Sequence, residues 1–150
     1  METNNNEHIP TPMELFGVEC GKGWYKLIEP VVAYIEEYNK NRPDEEKIAI
    51  LQIKEKYAEL RIYVSYGTDE LYDMISDAED KSHNICEVCG AEENVGLKIS
   101  GWYMTMCQDC AKEMAKNKEY PIVWERNSDG KTYRIYEDGK IEEIKEEEKP

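Results

Sequence analysis

The sequence predicts an α+β fold, in which an N-terminal helix, a β-hairpin and a second helix pack beside a four-cysteine module, with a small C-terminal antiparallel sheet. Three patterns support this class. Two segments repeat apolar residues at helical spacing, several short runs are rich in β-branched and aromatic residues, and four cysteines form two Cys-x-x-Cys pairs. We expect a flexible arm at 1–12, an α+β core at 13–84, the four-cysteine module at 85–118, a three-stranded antiparallel meander at 119–145 and an acidic tail at 146–150.

The first predicted helix runs from Trp24 to Asn41. Its apolar stripe consists of Leu27, Ile28, Val31, Val32, Ile35 and Tyr38. Charged residues occupy the other side, which is the pattern of an amphipathic helix. Because Pro30 lacks a backbone N–H, we expect it either to kink this helix or to mark the first turn of its longer part.

A β-hairpin is predicted next, from strand-like runs at Ile48–Ile53 and Leu60–Tyr66 joined by a charged segment at 54–59. In the second run, apolar and polar side chains alternate, so that one face of the hairpin is expected to cover the core against the first helix.

The second predicted helix begins after Thr68, a good N-cap residue, and continues to about Lys81. It carries a set of carboxylates that we call the acidic row: Asp69, Glu70, Asp73, Asp77 and Asp80. Three of them are spaced four residues apart and therefore share one side of the helix. The row is either an ordinary solvated face or a surface that docks on a positively charged nucleic-acid channel of a partner.

The two cysteine pairs predict a metal site. Cys86 and Cys89 are separated from Cys107 and Cys110 by 17 residues, within the ~15–20 residues typical of a four-thiolate zinc site. We expect these four cysteines to bind one structural Zn²⁺, because four thiolates complete a tetrahedral site and leave no position for substrate.

The module around these cysteines is expected to contain a turn at Gly90, a hairpin formed by Leu97–Ile99 and Trp102–Met106, and a helix from Gln108 to about Lys116. This order resembles a treble-clef zinc finger, although the spacing also allows a rubredoxin-like zinc ribbon. Three short strands follow at Pro121–Arg126, Lys131–Tyr136 and Lys140–Lys145, separated by turn sequences that contain glycine.

The net charge of the chain restricts the kinds of molecule that it is expected to bind. The 150 residues carry a formal charge of −14, and residues 86–110 alone carry −3 before any metal is counted. Because such a surface repels phosphate, we expect no direct contact with nucleic acid and a basic protein as partner. The beginning of the chain lacks the features of a signal peptide and no stretch is long and apolar enough to span a membrane, which predicts a cytoplasmic protein without membrane association.

Catalysis is not expected. The fifth cysteine, Cys20, has no neighbouring base or cation that would activate it, and we interpret it as a packing residue. The two histidines, His8 and His83, are too far apart in sequence for a relay, and His83 could hydrogen-bond near the metal. A pocket near Cys20, Trp24 and Tyr25 is where a small ligand would be expected if the protein bound one.

Several segments together resemble a group of small phage and prophage proteins with a zinc-finger module. They are CGKGWYKLI at 20–28, QIKEKY at 52–57, LRIY at 60–63, CEVCG at 86–90, GWYMT at 101–105 and CQDC at 107–110. The resemblance covers about residues 14–115. Tyr57 and Ala58-Glu59 stand where we expect Phe and Gly-Gly, so the hairpin turn is expected to differ.

The resemblance implies a phage-encoded anti-defence protein of the anti-CRISPR kind, which would bind a host effector such as a Cas9-type nuclease and block its loading with nucleic acid. The alternative is a zinc-finger adaptor between proteins in phage transcription or replication. Either reading implies a non-enzymatic protein, acting as a monomer or small oligomer.

Overall fold

The computed structural model describes residues 18–145, and the predicted arm at 1–12, His8 and the tail at 146–150 lie outside the described residues. The helices are α1 (Tyr25–Asn39), α2 (Asp69–Lys81) and α3 (Gln108–Ala115). The strands are β1 (Ile50–Lys56), β2 (Glu59–Val64), β3 (Val95–Lys98), β4 (Met104–Cys107), β5 (Ile122–Arg126), β6 (Thr132–Ile135) and β7 (Ile141–Ile144). The predicted α+β class is confirmed.

The first half of the described chain packs α1 and α2 against one face of the β1–β2 hairpin. The largest buried side chains of this core include Trp24, Ile28, Ile53, Leu60 and Leu71, all nearly inaccessible to solvent. The apolar stripe predicted for the first helix is the side that is buried. Pro30 lies inside α1 with its ring exposed, and the helix already starts at Tyr25. The prediction that Pro30 marks the first turn of the longer part of the helix is therefore wrong.

The hairpin turn is tighter than predicted. Strand pairing continues to Lys56 opposite Glu59, which leaves a two-residue turn of Tyr57 and Ala58 in place of the expected loop at 54–59. Both turn residues have positive φ angles, 53° and 68°, as a turn that matches the twist of the strands requires. Glu55 Oε2 accepts the N–H of Ala58 at 2.5 Å and stabilises this turn from one side.

The start of α2 is as predicted. Thr68 is the N-cap, and its Oγ1 accepts the N–H of Leu71 at 3.1 Å. The same hydroxyl lies 2.7 Å from the hydroxyl of Tyr34 in α1, so the cap also joins the two helices. Leu71, Ile75 and Ala78 form the buried stripe of α2, which leaves the opposite side of the helix in solvent.

The second half of the described chain is built on one antiparallel sheet with strand order β4-β3-β5-β6-β7. β3 pairs with β4 on one side and with β5 on the other, so the hairpin between the cysteine pairs belongs to the same sheet as the C-terminal strands. Trp124 is buried against this sheet and α3, and its Nε1 donates to the carbonyl of Met106 at 2.9 Å. The three C-terminal strands and their glycine turns occur where predicted.

The loop between β3 and β4 is longer than the predicted Ser100-Gly101 turn. Residues after Lys98 leave β4 because they bond to the neighbouring strand: Ile99 N–H donates to the carbonyl of Val123, and Ser100 Oγ accepts the N–H of Val123. Trp102 was predicted to lie in a strand and instead lies in this loop, where 70% of its surface is exposed. Among residues 18–145, no helix has the length and apolar composition needed to cross a bilayer.

Candidate metal centre

The four cysteines of the two pairs form one cluster. Their Sγ atoms all lie within 4.8 Å of one another, and the Sγ atoms of Cys89 and Cys107 are 3.7 Å apart. Four sulfurs placed tetrahedrally at about 2.3 Å from a zinc ion would be about 3.8 Å apart, whereas a disulfide requires about 2.05 Å. The arrangement therefore fits a set of metal ligands, and all four cysteines are free of disulfides.

The first pair is held by a tight turn. The N–H of Cys89 points at the Sγ of Cys86 at 3.5 Å, and the N–H of Gly90 donates to the carbonyl of Cys86 at 2.9 Å. Gly90 has a φ of 85°, a conformation that residues with a side chain rarely adopt. We call residues 86–90 the knuckle; its geometry directs both sulfurs to the same side.

The second pair is held by the start of α3. Cys107 ends β4 and is the N-cap of the helix, with its Sγ accepting the N–H of Cys110 at 3.4 Å. Cys110 therefore lies in the first turn, where the N–H groups of the helix favour negative charge. The strand and the helix together fix both sulfurs relative to the knuckle.

The cysteine thiols influence one another. Burial would raise the pKa of Cys86, but N–H groups of Cys89, Cys107 and Val88 lower it overall. Burial raises the pKa of Cys107, and burial and the neighbouring thiols raise that of Cys110. The charge of Cys86 also raises the pKa of Cys107 and Cys110, and a bound divalent cation is the charge that would stabilise these thiolates side by side.

The knuckle is docked on the segment before α1 through two glycines. The N–H of Gly23 donates to the carbonyl of Glu87 at 2.7 Å, and that of Gly21 donates to Glu87 Oε2 at 3.0 Å. A Cβ atom on Gly23 would lie 2.1 Å from the carbonyl oxygen of Cys86, so no side chain fits there. Trp24 Nε1 adds a bond to the carbonyl of Ile85 at 2.7 Å. No local pattern in the sequence predicts this contact, because it joins segments that are far apart in the chain.

Glu87 is the most unusual polar residue at this junction. Only 7% of its surface is exposed, and its Oε1 has no hydrogen-bond partner among the described residues. Burial raises the pKa of Glu87, the N–H of Gly21 partly opposes this, and the charge of Glu55 raises it further. Burial and the negative charge of Glu55 therefore create an environment that favours the neutral form of this carboxyl group.

The other cysteine and the described histidine lie apart from the cluster. Cys20 is half-buried, and burial together with Glu87 and Glu55 raises the pKa of its thiol to about 12. The pocket considered beside it is filled, since Trp24 is completely buried. His83 Nε2 lies 3.4 Å from a carboxylate oxygen of Glu59 and does not belong to the cysteine cluster.

The acidic row is exposed along its whole length. Asp77 pairs with Lys81 at 3.0 Å, one turn along the same helix. Within residues 18–145, no lysine or arginine nitrogen lies within 4 Å of the carboxylates of the other four members: Asp69, Glu70, Asp73 and Asp80. The row is separate from the metal cluster. Of its five carboxylates, only that of Asp77 is paired with a lysine or arginine within residues 18–145.

A groove of about 660 Å³ lies between the tip of the β1–β2 hairpin and the β3–β4 loop. It is lined by residues 54–57 and 101–103, and we call it the aromatic groove. Tyr57 and Trp102 are 79% and 70% exposed, and Tyr103 is also exposed. Trp102 Nε1 donates to Glu55 Oε1 at 3.2 Å and so spans the groove. The sequence shows that these aromatic residues are present but does not predict that they are exposed. Their exposure depends on how the two halves of the described chain pack together.

No protein-family model matches the chain, and comparison with curated proteins and with solved structures gives no significant match.

Proposed function

We propose that this is a non-enzymatic, zinc-stabilised binding protein that docks its acidic row on a basic surface of a partner that handles nucleic acid. The single observation that carries the proposal is the exposed acidic row, in which four carboxylates have no lysine or arginine nitrogen within 4 Å among the described residues. In a chain of net charge −14, this helix face is a strong source of negative potential for a basic partner.

The metal in this proposal is one Zn²⁺ with a purely structural role. Four thiolates suit zinc, and a four-coordinate site has no vacancy at which water or substrate could be activated. Knuckle, hairpin and a helix that begins at the third ligand follow one another in the order of a treble clef, and we assign the module to that type. Its binding energy would be folding energy for the second half of the chain.

The partner we propose is a host defence nuclease, with a Cas9-type effector as the first candidate, and the protein would be encoded by a phage and act in the bacterial cytoplasm. Such effectors hold guide and target in a positively charged channel. The acidic row would occupy that surface and prevent nucleic acid from loading. Support comes from charge and from the resemblance in sequence, and the partner's identity is open to direct test.

The test is capture of bacterial proteins by the purified chain, followed by identification and by binding measurements with increasing salt. The variant Asp69→Asn/Asp73→Asn/Asp77→Asn should weaken the captured complex and reduce its dependence on salt. The matched control is Glu29→Gln/Glu36→Gln/Glu45→Gln, which removes the same charge from exposed positions elsewhere. Equal binding by both variants and the parent protein would reject the acidic row as the interface.

The captured protein also separates the two proposed roles. A nuclease whose loading with guide or target is prevented supports the anti-defence role. A transcription or replication protein that remains active in the complex supports the adaptor instead.

A further inference from the structure

The aromatic groove combines exposed rings with two lysines that form no ion pair with any other described residue. We propose that this groove binds a short segment of single-stranded nucleic acid, with bases stacked on Trp102 and Tyr57 and phosphates contacted by Lys54 and Lys56. This inference goes beyond the proposed function and does not depend on it, because the groove and the acidic row are different surfaces.

Strand alternation places the lysines on the outer face of the hairpin. Ile53 points into the core, so Lys54 and Lys56 project on the other side of β1. The ammonium of Lys54 lies 5.9 Å from the centre of the Tyr63 ring, and that of Lys56 lies 5.9 Å from the Tyr57 ring. Each of the two cations therefore lies beside an exposed ring.

Lys54 and Lys56 are among the lysines that form no ion pair within residues 18–145, unlike a second group that does. Lys26, Lys81 and Lys116 each form an ion pair with a nearby carboxylate. Across the described range 18–145, no carboxylate oxygen lies within 4 Å of the ammonium of Lys54 or Lys56. Both ammonium groups are therefore available to an anionic ligand.

Trp102 and the hairpin tip that carries Tyr57 are held in place before any ligand arrives. Trp102 is tied to Glu55 across the groove, and Thr105 Oγ1 donates to the carbonyl of Ala58 at 2.7 Å, which fixes the hairpin tip against β4. Flat, exposed rings in a fixed position are the platform on which unpaired bases stack, and such stacking tolerates any base sequence. Double-stranded nucleic acid would not expose its bases to these rings.

The charge of the whole protein limits the site to a short strand. Two lysines can neutralise about two phosphates, which predicts a slope of about −1.4 in a plot of log affinity against log salt concentration. The sequence predicted no direct contact with nucleic acid because the net charge, summed along the chain, is strongly negative. In the fold, the acidic row lies on α2, whereas Lys54 and Lys56 lie on the outer face of β1, and Glu55 also lines the groove.

Tryptophan fluorescence can test the proposal in the full-length, metal-loaded protein. Trp24 and Trp124 are buried, with 0% and 1% of their surfaces exposed, so quenching by a stacked base would report on Trp102. We expect an oligothymidylate of about eight nucleotides, a length that one small binding fold can cover, to quench the emission at low salt. A duplex of the same length should quench much less.

Variants make the test specific. Trp102→Ala should weaken binding of a fluorescently labelled strand by about tenfold or more, whereas Tyr120→Ala, which removes another exposed ring, should not. Lys54→Gln/Lys56→Gln should bring the salt slope close to zero, and the control Lys40→Gln/Lys116→Gln should leave it unchanged although it alters net charge equally.

Three outcomes would overturn the inference. The first is an absence of quenching by single strands even at low salt. The second is equal loss of binding in the lysine variant and its control, which would indicate a general charge effect. The third is quenching by a peptide of Glu and Leu residues but not by the oligonucleotide, which would assign the groove to an acidic protein segment.

Discussion

The N–H of Gly23 donates to the carbonyl oxygen of Glu87 over 2.7 Å, and this bond joins the segment before α1 to the metal-binding knuckle. It connects residues 64 positions apart in the chain. The carbonyl of Cys86 lies so close to Gly23 that the knuckle rests directly on the glycine backbone. The metal cluster and the N-terminal core are thus structurally coupled.

The first prediction concerns this contact. Gly23→Ala should lower the free energy of unfolding by about 2 kcal/mol or more, because its Cβ would meet the carbonyl oxygen of Cys86 at 2.1 Å and the chain must move. Chemical denaturation measures the change. Gly130→Ala is the comparison, because no atom lies within 4 Å of the Cβ that it would add. It should lower the free energy of unfolding by about 1 kcal/mol, owing to the positive φ of this residue alone. Equal effects of the two substitutions would contradict a tight contact at Gly23.

The second prediction concerns the metal. Purified protein should contain one zinc ion per chain, and Cys89→Ser or treatment with a strong chelator should lower Tm by about 10 °C or more, since loss of a structural metal removes several kcal/mol of folding energy. Metal analysis and calorimetry provide the measurements. Cys20→Ser should retain the metal and nearly the parent Tm. Metal-free protein with an unchanged melt would reject a structural metal site.

The third prediction concerns the reactivity of Cys20. Because the pKa of its thiol is raised from 9.0 to about 12, its thiolate fraction near neutral pH should be about a thousandfold below that of a free cysteine. Alkylation of metal-loaded protein by iodoacetamide, followed by peptide mass spectrometry, should therefore be slow at Cys20 and become fast once guanidinium unfolds the chain. Rapid labelling of the folded protein would show that the thiol is activated.

The same shift fixes the sign of its effect on stability. A raised pKa means that folding favours the protonated thiol, so this contribution is fully present below about pH 9 and is lost as the pH rises towards 12. Cys20→Ser should therefore flatten the alkaline fall in stability that the parent protein shows.

The fourth prediction concerns the cap of α2. Thr68→Ala should destabilise the protein by about 1–2 kcal/mol, because it removes the bond to the N–H of Leu71 and also the contact with the Tyr34 hydroxyl. Tyr34→Phe should lose only the contact between the two hydroxyls, and Thr68→Ser should retain most of both interactions. If alanine and serine at this position gave the same stability, the hydroxyl would not be the stabilising group.

Local patterns in the sequence were sufficient for much of the fold. Helical spacing identified α1 and α2, Thr68 identified the start of α2, and glycine turns located the C-terminal strands. The spacing of the two cysteine pairs identified the cluster that lies within 4.8 Å. Each of these features depends on residues a few positions apart, or on a short motif whose chemistry is specific, and so it can be read without knowledge of the rest of the chain.

Other features were decided by contacts between distant segments. The pairing of β3 with β5 made one sheet of the cysteine hairpin and the C-terminal strands, and it drew Ile99 and Ser100 away from β4. That left Trp102 in an exposed loop opposite the hairpin tip, where Thr105 holds Ala58. Spacing along the chain contains no information about which strand edges meet or which rings remain uncovered. The cysteine cluster was therefore readable from sequence, whereas its docking on Gly23 and the aromatic groove beside it arise only when the two halves of the chain pack together.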